Sequence, residues 1–128
     1  MSKNHFISGE NQKYSDSIFV QTILEKNELD ELIEKREVYT DLNNDVLVEL
    51  LYDRNEKLIL QLVSIYDKDK NLLYELCYNE LGNYTDGYDF QLDDSFLSLS
   101  ETRIKEIEDF KQFDLGKMLS ITHANTLK

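Results

Sequence analysis

The chain has 128 residues, 41% hydrophobic and 31% charged, and its 26 acids against 14 bases give a formal net charge of −12. That is the length of one domain with enough apolar residues for a core, which excludes a disordered chain. The charge repels phosphate backbones and anionic membranes, so direct binding to nucleic acid or to a membrane surface is set aside. Residues 1–44, 45–81 and 82–128 hold 9, 8 and 9 acids against 5, 4 and 5 bases, so the acidity is spread along the chain and is not a tail.

No apolar run approaches the ~18 residues of a spanning helix, and residues 1–12 lack the apolar core of a signal peptide. The expected place of action is the cytoplasm. The single cysteine, Cys77, allows no intramolecular disulfide and reads as a small buried hydrophobe. There is no proline to mark a linker and no repeat at solenoid periods, so 1–128 is read as a single domain.

In chain order, residues 1–14 are polar and read as a loose N-terminal arm. Phe19, Val20, Ile23 and Leu24 cluster on one side of a helical wheel, and Leu29, Leu32 and Ile33 cluster on the other. Asn27 followed by Asp30 has the spacing of a cap and its N3 acid. The spacing predicts two short helices, about 17–26 and 28–36; one helix buried on two sides is the alternative. Three alternating runs follow: Val46, Val48, Leu50, Tyr52; Leu58, Leu60, Leu62, Tyr66; and Leu72, Tyr74, Leu76, Tyr78. The polar gaps Asp53–Glu56 and Asp67–Lys70 have hairpin-loop length, which predicts an antiparallel meander. Its second face carries Leu47, Leu51, Ile59, Val63, Ile65 and Leu73 and must also be partly covered.

After Leu81-Gly82-Asn83, the pair Asp86-Gly87 reads as a turn, with Phe90 and Leu92 starting a fourth strand. Ser98 with Glu101 reads as a capping box. Ile104, Ile107 and Phe110, with Phe113 as a further member, then form the stripe of a helix ending near Gly116. Residues 117–128 read as a short strand through Met118, Leu119 and Ile121, or as a frayed tail. The expected fold class is α+β: an antiparallel β-meander of three to five strands flanked by N-terminal helices and a C-terminal helix.

Few residues suggest chemistry. His5 and His123 have no metal-ligand spacing and read as surface residues. Asp67-Lys68-Asp69-Lys70-Asn71 alternates acids as a calcium loop does. Leu72 and Tyr78, however, stand where such a loop needs glycine and glutamate. With 26 acids, adjacent pairs such as Asp93-Asp94 arise without catalytic purpose. Four scattered glycines make no phosphate loop, and no serine lies in a nucleophile elbow. The expectation is no enzyme, no cofactor and no metal.

One stretch stands out. The 32 residues from Asn71 to Thr102 contain no Lys or Arg but seven acids, Glu75, Glu80, Asp86, Asp89, Asp93, Asp94 and Glu101, together with Tyr74, Tyr78, Tyr84, Tyr88, Phe90 and Phe96. Tyrosine beside carboxylate suits a basic protein partner: the ring buries area at low entropy cost and the acids pair with Arg or Lys. The candidate partner-binding residues are Glu80, Tyr84, Asp86, Tyr88, Asp89, Phe90, Asp93 and Asp94. The competing reading makes Tyr74, Tyr78 and Phe96 core residues and leaves the acids merely solvated.

In size, acidity and lack of a catalytic motif the chain resembles in kind the bacterial immunity proteins that neutralise nuclease toxins. That resemblance implies a cognate inhibitor whose acidic face covers a basic active site. A phage-type inhibitor that mimics nucleic acid would look the same. The chain is also similar in size, acidity and mixed α/β content to type III secretion chaperones, which act as dimers on an effector segment. It lacks the second mid-chain helix of that pattern. The expected partner is a basic protein, a toxin or nuclease domain.

Overall fold

The computed structural model describes residues 3–66, 69–89, 97–98 and 111–127. These form β1 (His5–Ser8), β2 (Gln12–Ser15), β3 (Ile18–Lys26), β4 (Leu32–Thr40), β5 (Val46–Tyr52), β6 (Leu58–Tyr66), β7 (Leu72–Asn79), β8 (Tyr84–Asp89), β9 (Leu97–Ser98) and a helix, α1 (Leu115–Leu127). The strands hydrogen-bond in the order β1-β3-β4-β5-β6-β7-β8-β9, with β2 also paired to β3. The β1–β3, β3–β4, β4–β5 and β7–β8 pairs are antiparallel. The chain gathers into two compact units, Met1–Leu60 and Gln61–Lys128.

This overturns the expected α+β class with flanking helices. The segments 17–26 and 28–36, expected as helices, fall on β3 and β4, and the expected loose arm contains β1 and β2. The helical spacing was misleading because β3 is half-buried on both sides over most of its length. A strand covered on two faces needs no alternation, so its apolar residues can fall at any spacing. The β-branched content of Ile18, Val20, Thr22 and Ile23 was the better guide. Ser98, expected to cap a helix, lies in β9, and Ile104, Ile107 and Phe110 of the helix stripe expected after it lie outside the described residues. Met118 and Leu119, expected in a strand or a frayed tail, are instead buried side chains of α1. The helix starts where one was expected to end. The Asp114 carboxylate accepts from the Lys117 amide at 2.9 Å and caps it, so Gly116 lies in the first turn.

In the first unit, Leu47 and Val48 are both fully buried. Successive residues of a strand point to opposite faces, so β5 is covered on both. β6 runs from the first unit into the second: its buried residues, Gln61, Val63 and Ile65, belong to the second, while Leu58, Leu60 and Leu62 are only half-buried, the reverse of the expected stripe. Gln61 is tolerated inside because its Nε2 donates to the Asn79 carbonyl at 3.1 Å. In the second unit, the core includes Leu76, Tyr78, Met118, Leu119 and Thr122. Segment 111–113 is tied to the β7–β8 turn: the Phe113 amide donates to the Gly82 carbonyl at 2.7 Å, and Gln112 Nε2 donates to the Leu81 carbonyl at 3.0 Å.

One loop recurs in Asn27–Glu31, Asp41–Asp45, Asp53–Lys57 and Asn79–Asn83. In each, the side-chain oxygen of the first residue accepts from the amides two and four residues on. Its carbonyl accepts from the amide three residues on, and that fourth residue has positive φ: Asp30 64°, Asn44 65°, Glu56 61° and Gly82 83°. Lys70, at the same place after Asp67, has φ 67°. The four described loops begin at 27, 41, 53 and 79, spacings of 14, 12 and 26 residues. Among the described residues, the loops at 27, 53 and 79 recur every 26 residues and join consecutive strands, a repeat the sequence reading missed. Asn27 is a turn residue, not a helix cap. The two roles share a signature because both use an Asn or Asp oxygen to satisfy nearby amides.

Candidate functional site

The part of the acid-rich stretch that lies within the described residues falls on the β7–β8 hairpin, with Leu97 and Ser98 in β9. Its register sets Tyr74 opposite Asp89, Glu75 opposite Tyr88, Leu76 opposite Gly87, Cys77 opposite Asp86, and Tyr78 opposite Tyr84. Thr85 is the extra residue of a bulge, and its hydroxyl donates to the Cys77 carbonyl at 3.2 Å. Leu76 and Tyr78 are buried, so one face of the hairpin is core. The Tyr78 ring meets Tyr84 edge-on at 5.9 Å and Phe113 at 5.6 Å. Burial first, then neighbouring Tyr84 and Cys77, raise the Tyr78 hydroxyl well above the usual phenol range. The other face holds the register positions of Glu75 with Tyr88 and of Cys77 with Asp86.

The candidate residues are therefore divided. Glu80 is exposed in the Asn79–Asn83 turn. Tyr84 is half-buried against Tyr78 and serves the core. Asp86, Tyr88 and Asp89 lie in β8, whereas Asp86-Gly87 had been expected to turn the chain. Phe90, Asp93 and Asp94 lie outside the described residues. Of the residues on the second face of the expected meander, Leu47, Val63 and Ile65 are buried and Ile59 is exposed.

The first unit holds a recess of about 490 Å³ that the sequence reading did not find, lined by Phe6, Ser8, Ile23, Glu25, Glu34 and Arg36. Two rows cross three strands: Phe6–Glu25–Glu34 and Ser8–Ile23–Arg36. Glu25 stands directly opposite Glu34, an arrangement that repels. Asn4 Nδ2 donates to Glu25 at 2.8 Å. The Arg36 guanidinium lies 3.7 Å from Glu34 and 3.8 Å from Glu49. Phe6 is 67% exposed at the rim. Reading 17–36 as helices scattered these residues over unrelated faces; only a strand register brings them together.

A second cluster sits at other register positions of β4 and β5. The Tyr52 hydroxyl donates to Glu37 at 2.5 Å, and the Lys35 ammonium lies 4.8 Å from the centre of the Tyr52 ring and 3.5 Å from Glu56. Burial first, then the Glu37 hydrogen bond, raise the Tyr52 hydroxyl well above the usual phenol range. His5 lies 3.6 Å from Asp30. Among the described residues, no three His, Cys, Asp or Glu side chains are grouped to hold a metal ion, and no helix is long and apolar enough to cross a membrane. Comparison with family models, with curated proteins and with solved structures found no match to this chain.

Proposed function

We propose that this chain is a small acidic protein-binding protein that neutralises a basic partner. It acts as an immunity-type inhibitor does when it covers the basic active site of a nuclease-type toxin, and its place of action is the cytoplasm. The observation that carries the reading is the construction of the β7–β8 hairpin. One face is anchored by Leu76 and Tyr78 in the core, and the opposite register positions pair Glu75 with Tyr88 and Cys77 with Asp86. No base occurs from Asn71 to Thr102 to neutralise these acids. A hairpin whose other face is anchored in the core holds these register positions in place at little ordering cost, and carboxylates beside tyrosine suit Arg- and Lys-rich surfaces. The formal charge of −12 steers such partners over longer range.

The test is capture of the partner from source cells, followed by binding kinetics at two salt concentrations. Replacing Glu75, Glu80, Asp86 and Asp89 by their amides should slow association and flatten its salt dependence, because complementary charge mainly steers encounter. Tyr88→Ala should instead speed dissociation. A captured partner that is acidic, or a four-amide variant that associates like wild type at low salt, refutes the proposal.

A further inference from the structure

We infer that the β1 edge and the recess beside it take an extended segment of a partner protein, added as a further strand, with arginine or lysine at alternate positions. The inference does not rest on the β7–β8 hairpin; every residue it uses lies in the first unit.

The backbone supplies the first half. The Gly9 amide donates to the Thr22 carbonyl at 2.8 Å, and the β1–β3 register continues this pairing back through Ile7↔Leu24 and His5↔Lys26. In an antiparallel ladder, alternate residues bond to one neighbour and the residues between them point the other way. The amides and carbonyls of Phe6 and Ser8 therefore face outward, where no described strand pairs with β1. All four residues of β1 are exposed. Edge strands are ordinarily blunted by lysine, proline or a bulge. β2, the other strand on that side of β3, carries Lys13 and a register shift between Lys13 and Ser15. β1, His5-Phe6-Ile7-Ser8, has neither.

The side chains supply the second half. A strand added to β1 sits ~5 Å from it, which sets its alternate side chains beside Phe6 and Ser8 at the mouth of the recess. A long cationic side chain there lies over the exposed Phe6 ring and ends near Glu25, with Glu34 directly behind. Arg36 is already shared between Glu34 and Glu49, so the three carboxylates outnumber the one guanidinium. An incoming cation would also relieve the Glu25–Glu34 repulsion. A second copy of this chain is the wrong occupant: each copy carries −12, and β1 offers no Lys or Arg to the other's carboxylates.

The probe is a fluorescein-labelled ten-residue peptide of alternating arginine and valine, followed by anisotropy. Ser8→Pro removes an outward amide without touching the β1–β3 ladder. It should weaken binding at least about tenfold while leaving the thermal midpoint near that of wild type. The double variant Glu25→Gln, Glu34→Gln should weaken binding by a similar factor and flatten its salt dependence. Should Ser8→Pro melt early, amide exchange in the wild type reads the same ladder: slowed exchange at Phe6 and Ser8 on adding peptide supports the strand, and unchanged exchange overturns it. Equal binding by wild type and both variants, or no binding by wild type at millimolar peptide, also overturns the inference, as does a wild-type dimer that Ser8→Pro makes monomeric. Glu75→Gln, Glu80→Gln should bind the peptide as wild type does, so failure here and failure of the β7–β8 reading are separate results.

Discussion

Tyr84 lies across Gly87: a Cβ placed on Gly87 would come within 2.8 Å of the Tyr84 hydroxyl oxygen and 3.2 Å of the Glu75 carbonyl. The two residues share a face because the bulge at Thr85 shifts the alternation of β8. The glycine is there for close approach and not for a turn. Gly87→Ala should destabilise the protein by ~1–3 kcal/mol through overpacking, read by urea denaturation. Tyr84→Ala combined with Gly87→Ala should cost less than the sum of the two single changes, because the clash disappears with the ring. Strict additivity would mean that the ring does not meet Gly87.

The recurring loop makes opposite predictions at the same position of different copies. Glu56 holds φ 61° with a side chain that ordinarily disfavours it, so Glu56→Gly should be neutral or stabilising by up to ~1 kcal/mol. Gly82, at φ 83°, would bring a Cβ to 2.7 Å from Gln112 Nε2, so Gly82→Ala should destabilise. Paired thermal melts decide it: the two substitutions should move the midpoint differently, Gly82→Ala downward and Glu56→Gly not.

The start of α1 can be tested by sign. Gly116 lies in its first turn, and an added Cβ would meet nothing closer than Asp114 Oδ1 at 3.7 Å. Gly116→Ala should therefore stabilise by up to ~1 kcal/mol, whereas Asp114→Ala should cost ~0.5–2 kcal/mol as a lost cap. Were Gly116 the end of a helix, alanine there would destabilise instead.

Stability should fall at alkaline pH. Tyr39, Tyr52 and Tyr78 each have a hydroxyl whose pKa is raised in the folded protein, burial being the first cause in all three. A raised pKa means that the folded state holds the proton more tightly than the unfolded chain, whose tyrosines titrate near ~10. The stabilisation is complete below pH ~10 and is lost as pH rises beyond it. Tyr78 is fully buried, so Tyr78→Phe should flatten the fall between pH 9 and 11 relative to wild type. Denaturation midpoints across that range give the slopes; identical slopes would show that Tyr78 ionises as readily folded as unfolded.

Local chemistry by itself determined part of this protein. Alternation in 46–52, 58–66 and 72–79 placed β5, β6 and β7, because strands with short polar loops leave a period of two that needs no distant contact to read. The excess of carboxylates, and the gap in bases from Asn71 to Thr102, are likewise properties of the chain. Tertiary structure decided the rest. Whether 18–26 is helix or strand depended on both of its sides being covered, which spacing cannot express. Asn27 satisfies nearby amides equally well in a cap or in a hairpin, and only the partner strand selects the hairpin. Gly87 looked like a turn until Tyr84 occupied the space above it. Phe6, Glu25, Glu34 and Arg36 lie up to thirty residues apart, and they share a recess only because three strands pair in one register. Register is a long-range property, set by hydrogen bonds between segments that do not adjoin in sequence.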